Sequence, residues 1–202
     1  MRSQLPLLEI DEERDGFRFR GGSNVIDLPA TLQARLSASP RELLNSSKDL
    51  SRWLVAAGLA EHPPRATLED LTNAHALREA IFVLASCLRR DDVSSTGARA
   101  TLNRLAADSP ATPSLQANGT VRLVGNARAL LVTLAREAVH LFGSAEAGRI
   151  RQCESSTCTL FFVDTSRKGD RRWCSMSACG NKAKVARFRS RRQTLSPGVD
   201  EP

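Results

Sequence analysis

Cysteine is scarce in this chain, five in 202 residues, yet four of the five fall within one stretch. Cys153 and Cys158 form one C-x4-C pair and Cys174 and Cys179 a second, with fifteen residues between the pairs. Two close thiol pairs joined by a loop of that length supply four thiolates to one tetrahedral ion, and zinc is the usual occupant. Four thiolates close the coordination sphere and leave no position for a water that could be activated. The expected cofactor is therefore one structural Zn²⁺. Disulfides are the competing chemistry. Before Glu9 the N-terminus offers only Leu5-Pro6-Leu7-Leu8, too short for the apolar core of a secretory signal. Reduced thiols in the cytoplasm are the expectation, and they favour metal.

Charge singles out the same stretch. The net charge is +7, but residues 1–148 are neutral, residues 149–192 carry twelve Lys/Arg against Glu154, Asp164 and Asp170, and residues 193–202 carry −2. One divalent ion on four thiolates lowers the middle segment by two and still leaves it with the whole basic excess. A neutral body attached to a strongly cationic end is the electrostatic footprint of nucleic-acid binding. The cations fall in two groups. Arg167, Lys168, Arg171 and Arg172 lie in a polar loop between the cysteine pairs, where phosphate contact competes with a plain solvated turn. Lys182, Lys184, Arg187, Arg189, Arg191 and Arg192 follow the last cysteine, where Gly180 is read as a positive-φ residue and Asn181 as a helix cap. A helix over 182–192 would span about 16 Å, with Ala183, Val185, Ala186 and Phe188 as its docking side. No acidic residue interrupts Arg171 to Arg192, so the repulsion calls for an anionic partner.

The aromatic residues of this stretch carry two readings. Phe161, Phe162 and Trp173 either build the miniature core that a small zinc module needs or stand out as platforms for stacking bases. Elsewhere the chain offers little chemistry. His62, His75 and His140 are its only histidines and none has a nucleophile beside it, so no catalytic residue and no enzyme activity are expected. Cys87 lies in an apolar helical stripe and reads as a small buried hydrophobe.

The elements that must position these residues are mainly helical. Residues 5–28 read as extended, with Asp15-Gly16 and Gly21-Gly22 as turns and Val25–Leu28 as an apolar run of open type. Ser39-Pro40-Arg41-Glu42 has the form of a capping box that starts a helix. A second start at Ser47 places Leu50, Trp53 and Leu54 on one face and stops at Gly58. Thr67 opens a long helix with Leu68, Leu71, Leu77, Ile81, Leu84 and Leu88 in a stripe. A polar link over 91–100 precedes a helix at Thr101–Ala107, then a hairpin pairs Ser114-Leu115 with Val121–Val124. Asn126 caps an amphipathic helix to about Phe142, and Leu160–Val163 is strand-like. The fold class is mainly α with minor β. Residues 1–148 form a helical regulatory or assembly domain, 149–192 a zinc-binding module ending in a basic helix, and 193–202 a flexible tail. No run approaches the length of about 18 apolar residues that a membrane span needs.

The motifs Asp164-Thr165-Ser166-Arg167, Arg171-Arg172-Trp173-Cys174-Ser175-Met176, Cys179-Gly180-Asn181-Lys182 and Lys184 closely resemble the bacterial CGNR-type zinc-finger family. Upstream, Asp49-Leu50 with Trp53-Leu54 and Gly58-Leu59, Ala76–Ile81, and Arg136–Val139 are similar to that family's usual N-terminal partner. That partner is a mainly helical domain described as "Putative stress-induced transcription regulator". The resemblance implies four-cysteine zinc ligation and DNA binding by a transcription regulator. The signature's arginine is Lys182 here, which keeps the charge but not the planar, bidentate donor pair. A cytoplasmic, nucleoid-associated DNA-binding regulator is thus the expected function. The alternatives are an RNA-binding protein and a zinc-stapled module docking on an acidic protein, and a small-molecule effector of the N-terminal domain is an open partner.

Overall fold

Asp15 and Gly16 both take positive φ, 50° and 79°, the paired left-handed geometry that suits a two-residue hairpin turn. In the computed structural model, which describes residues 12–90 and 95–186, this turn joins β1 (Glu12–Arg14) to β2 (Phe17–Phe19) in an antiparallel pair. The apolar run that follows is a short helix, α1 (Asn24–Asp27), capped by Ser23 and continued by a 3-10 turn at Leu28–Thr31. Its residues are all buried, so hydrophobic periodicity had no polar side from which to read a helix.

The capping box at Ser39-Pro40-Arg41-Glu42 does not start a helix. Arg41–Glu42 is a strand, β4, paired with β3 (Leu32–Gln33). The Glu42 carboxylate accepts from the amides of Leu43 and Leu44 and pairs at 2.7 Å with Arg78, a residue only 5% exposed. Glu42 therefore serves the turn after it and a distant helix instead of reaching back to Ser39. Arg78 also donates to Glu79 and Thr31, which pins the hairpin to the long helix.

The helices that carry the core start where local capping chemistry puts them. α2 (Ser47–Ala56) is capped by the Ser46 hydroxyl, and Gly58, at φ 70°, ends it. α3 (Leu68–Arg90) opens with a reciprocal box in which Thr67 and Asp70 each accept the other's amide. α4 runs over Thr96–Ala106, five residues earlier than Thr101. Its first turn is exposed and polar, and a solvated helix face resembles a linker when only composition is read. β5 (Thr112–Leu115) and β6 (Val121–Val124) form the expected hairpin, and Asn126 caps α5 (Ala127–Phe142). α3, α4 and α5 pack against one another, and α2 lies against α3. Trp53, Leu54, Leu77, Ile81, Leu130 and Leu134 are fully buried between them. Each such side chain contributes about 1.5–3 kcal/mol on burial. Leu68 and Leu88 fall off the buried stripe at 76% and 47% exposure, while Cys87 is buried as expected. No helix among the described residues is long and apolar enough to cross a membrane.

A last antiparallel pair, β7 (Ile150–Gln152) and β8 (Phe161–Val163), leads into the cysteine segment. Side chains alternate across a strand, and β8 uses both faces. Phe161 and Val163 join the core of the helical body, with Phe161 edge-on to Phe82 of α3 at 5.5 Å. Phe162 points the other way, into a second cluster with Cys153, Cys174 and Cys179. The free edge of β8 is held as well, since the Val163 amide donates to Gly21 at 2.8 Å. Gly21 is in turn fixed by buried Asp27, which accepts from the amides of Arg20 and Gly21. A Cβ at Gly21 would lie 2.7 Å from the Ile26 side chain, so the turn needs glycine there. Burial pushes the Asp27 carboxyl up to about 7.

Candidate metal centre and basic surface

Each cysteine pair is placed by a short piece of backbone. Cys153 follows β7 directly, its amide bonded to the Leu160 carbonyl, and the Cys158 amide closes a turn on Ser155. The second pair straddles a helix start. Ser175 caps it, accepting from the Ala178 amide, and the amides of Cys179 and Gly180 both donate to the Ser175 carbonyl. The first turn, Met176–Gly180, is a π-turn, and helix continues over 181–186. Cys179 thus lies in the first turn of a helix.

The four sulfurs converge within 4.8 Å of one another. Cys174 Sγ is 3.8 Å from Cys158 Sγ and 3.7 Å from Cys179 Sγ. Zinc–sulfur bonds of about 2.3 Å in a tetrahedron place the sulfurs about 3.8 Å apart. The donor set and its spacing fit one structural Zn²⁺ held by Cys153, Cys158, Cys174 and Cys179. Electrostatics among the thiols point the same way. Hydrogen bonds from Cys158, then Cys174, push the Cys153 thiol down, while the partnership with Cys153 pushes Cys158 and Cys174 up. One thiolate is tolerated at the expense of its neighbours, so four need a cation between them.

The basic residues fall into three kinds of place. Arg167 and Lys168 are exposed on the loop, and Lys182 and Lys184 on the helix after Cys179; none makes an ion pair among the described residues. Arg172 is exposed but bonded to Glu154 at 2.6 Å, with its guanidinium over the Trp173 ring. Arg171 is turned inward, where it donates to the carbonyls of Trp173 and Cys174 and lies 4.6 Å over the Phe162 ring. Its observed contacts brace the backbone that carries Cys174. Arg187, Arg189, Arg191 and Arg192 lie outside the described residues, as do the tail 193–202 and the apolar stretch at 5–10.

Two expectations about the helix start are corrected. Asn181 does not cap it, because the helix begins at Met176 with Ser175 as its cap. Gly180 is not in a left-handed conformation. The position is crowded instead, since a Cβ there would meet the Met176 sulfur at 2.7 Å and the Trp173 ring at 3.2 Å. The aromatics also separate: Phe161 and Phe162 are buried, and Trp173 is partly buried against the metal cluster.

Asp164 organises the cationic loop, a role that its place in the charge pattern does not assign. It is fully buried at the root of the cationic loop and accepts from the amides of Ser166 and Arg171. Burial opposes its charge, but hydrogen bonds from Ser166 and Arg171 hold its carboxyl below the usual range. Its own amide donates to the Arg149 carbonyl, tying the loop to the start of β7. The signal was present as Asp-x-Ser, the spacing at which an aspartate accepts its own chain's amide two residues on.

Two family models match the chain. One, ABATE, described as "Putative stress-induced transcription regulator", covers residues 22–145, and the CGNR zinc finger covers residues 149–192. No curated protein matches.

Proposed function

The chain belongs to the ABATE family of the description "Putative stress-induced transcription regulator", and on that premise we propose that it binds DNA through its C-terminal zinc finger. The observation that carries the reading is the unequal use of charge within that finger. Its acidic groups are largely consumed internally, Asp164 by backbone amides and Glu154 by Arg172. Arg167, Lys168, Lys182 and Lys184 are left facing solvent. These side chains contact phosphates and so position the module without reading sequence. Lys182 acts as a point charge at the place where the signature has an arginine. Base reading falls to the arginines beyond residue 186. Phe161 and Phe162 are buried, which leaves the partly covered Trp173 as the one remaining stacking platform of those three for single-strand binding. This function puts the protein on the nucleoid.

Immunoprecipitation of the protein from cells, followed by sequencing of the bound nucleic acid, tests the proposal. Recovery of discrete DNA segments that vanish for Cys174→Ser is the expected result. Recovery of RNA instead, or of the same DNA with the variant, would overturn it.

A further inference from the structure

A cavity of about 430 Å³ opens between α3, α4 and α5. It lies within the range of about 300–1,000 Å³ typical of small-molecule sites. Leu84 and Leu88 of α3, Leu102 of α4, and Val139 and Phe142 of α5 form its wall. Leu102 is buried, whereas Leu88 of the same wall is 47% exposed, so the apolar lining is open to solvent on one side. Cys87 also lines it, although only 7% exposed.

The polar lining comes from one helix and the residue before it. Ser95, Arg99 and Asn103 recur at four-residue spacing, which places them on one face of α4. Arg99 is the single charged side chain among the described residues of the lining. It makes no ion pair among the described residues, and its guanidinium has only a 3.5 Å contact to the Thr96 hydroxyl. An apolar chamber whose one charged side chain among the described residues is a guanidinium without an ion pair to any of them suits a ligand with an apolar body and an anionic head. A carboxylate matches the planar donor pair.

We infer that the cavity between α3, α4 and α5 binds a small amphipathic carboxylate. The inference stands apart from DNA binding by the finger, because neither Arg99 nor any wall residue belongs to it.

The test uses the zinc-loaded full chain with decanoate as the probe and decanol as its uncharged counterpart. Calorimetric titration follows binding, and peptide mapping after maleimide treatment follows alkylation of Cys87. Decanoate is expected to bind saturably and to slow Cys87 alkylation. Arg99→Gln, at an exposed position, should weaken decanoate by about tenfold, the loss of one charge-assisted contact, and leave decanol unchanged. Asn103→Trp, also exposed, should block both ligands by filling the cavity. Absence of saturable decanoate binding, the outcome if the chain's own residues fill the space, would overturn the inference. So would equal loss of decanoate and decanol on Arg99→Gln.

Discussion

The helical body and the zinc finger solve the same problem with different means. The body buries a continuous set of large side chains, from Trp53 on α2 through Leu77 and Ile81 on α3 to Leu130 and Leu134 on α5. Among the described residues, the cluster around the finger's cysteines has Phe162 as its one fully buried large side chain, with Leu160 and Trp173 partly covered beside it. A segment that small cannot bury enough apolar surface to fold on that basis alone, so metal ligation supplies the remainder. Stabilisation by an ion frees the finger's outer surface to carry charge that a hydrophobic core would not need to tolerate. The two regions meet in one strand, β8, whose neighbouring phenylalanines belong to different cores.

The largest effect expected from breaking this comparison is metal removal. Structural zinc contributes an apparent 10–16 kcal/mol in small finger peptides, roughly speaking. Chelation should release one zinc per chain and unfold the finger while the helical circular dichroism of the body persists. Loss of both together would mean that β8 makes the two regions a single cooperative unit. The next largest effect sharpens the boundary within β8 itself. Phe161→Ala should cost the body about 3–5 kcal/mol in denaturant unfolding and leave zinc affinity nearly intact. Phe162→Ala should do the reverse, loosening zinc retention with little change in the body's midpoint.

A smaller effect is expected from Asp27, at the turn that receives the edge of β8. Its folded pKa, raised to about 7 from 3.8, means the folded state holds the proton more tightly than the unfolded chain. That contribution is complete below about pH 4 and is lost as pH rises through 7. The urea midpoint should therefore fall between pH 5 and pH 8, and Asp27→Asn should flatten the profile. A midpoint that rises over that window would contradict the assignment. The smallest effect is a single charge on the finger. Lys182→Ala should reduce the salt slope of DNA binding by about one and weaken affinity evenly across sequences. A change confined to one target sequence would instead make Lys182 a base reader.

What the sequence disclosed followed the range of the interaction. Cysteine spacing, the Asp15-Gly16 turn, and the caps at Thr67 and Asn126 are decided by residues a few positions apart, and each appears in the structure. Ser39–Glu42 carried an equally good local pattern, but Glu42 is claimed by Arg78, thirty-six positions away. From the sequence Gly180 reads as a positive-φ residue, but what sets it apart is close packing by the Met176 side chain of the same turn and the Trp173 ring, which depends on how the finger folds. By residue type alone, Arg171 reads as one of the loop's surface cations. Its inward turn depends on the Phe162 ring and the Cys174 carbonyl, which only the folded finger brings within reach.

The central claim, that a metal-held cationic surface binds DNA, is tested most directly by measuring duplex affinity of the zinc-loaded chain across a salt series. Neutralising about five phosphates predicts that log affinity falls against log salt with a slope near −4 to −5. A slope near zero, or an unchanged slope after chelation, would contradict it.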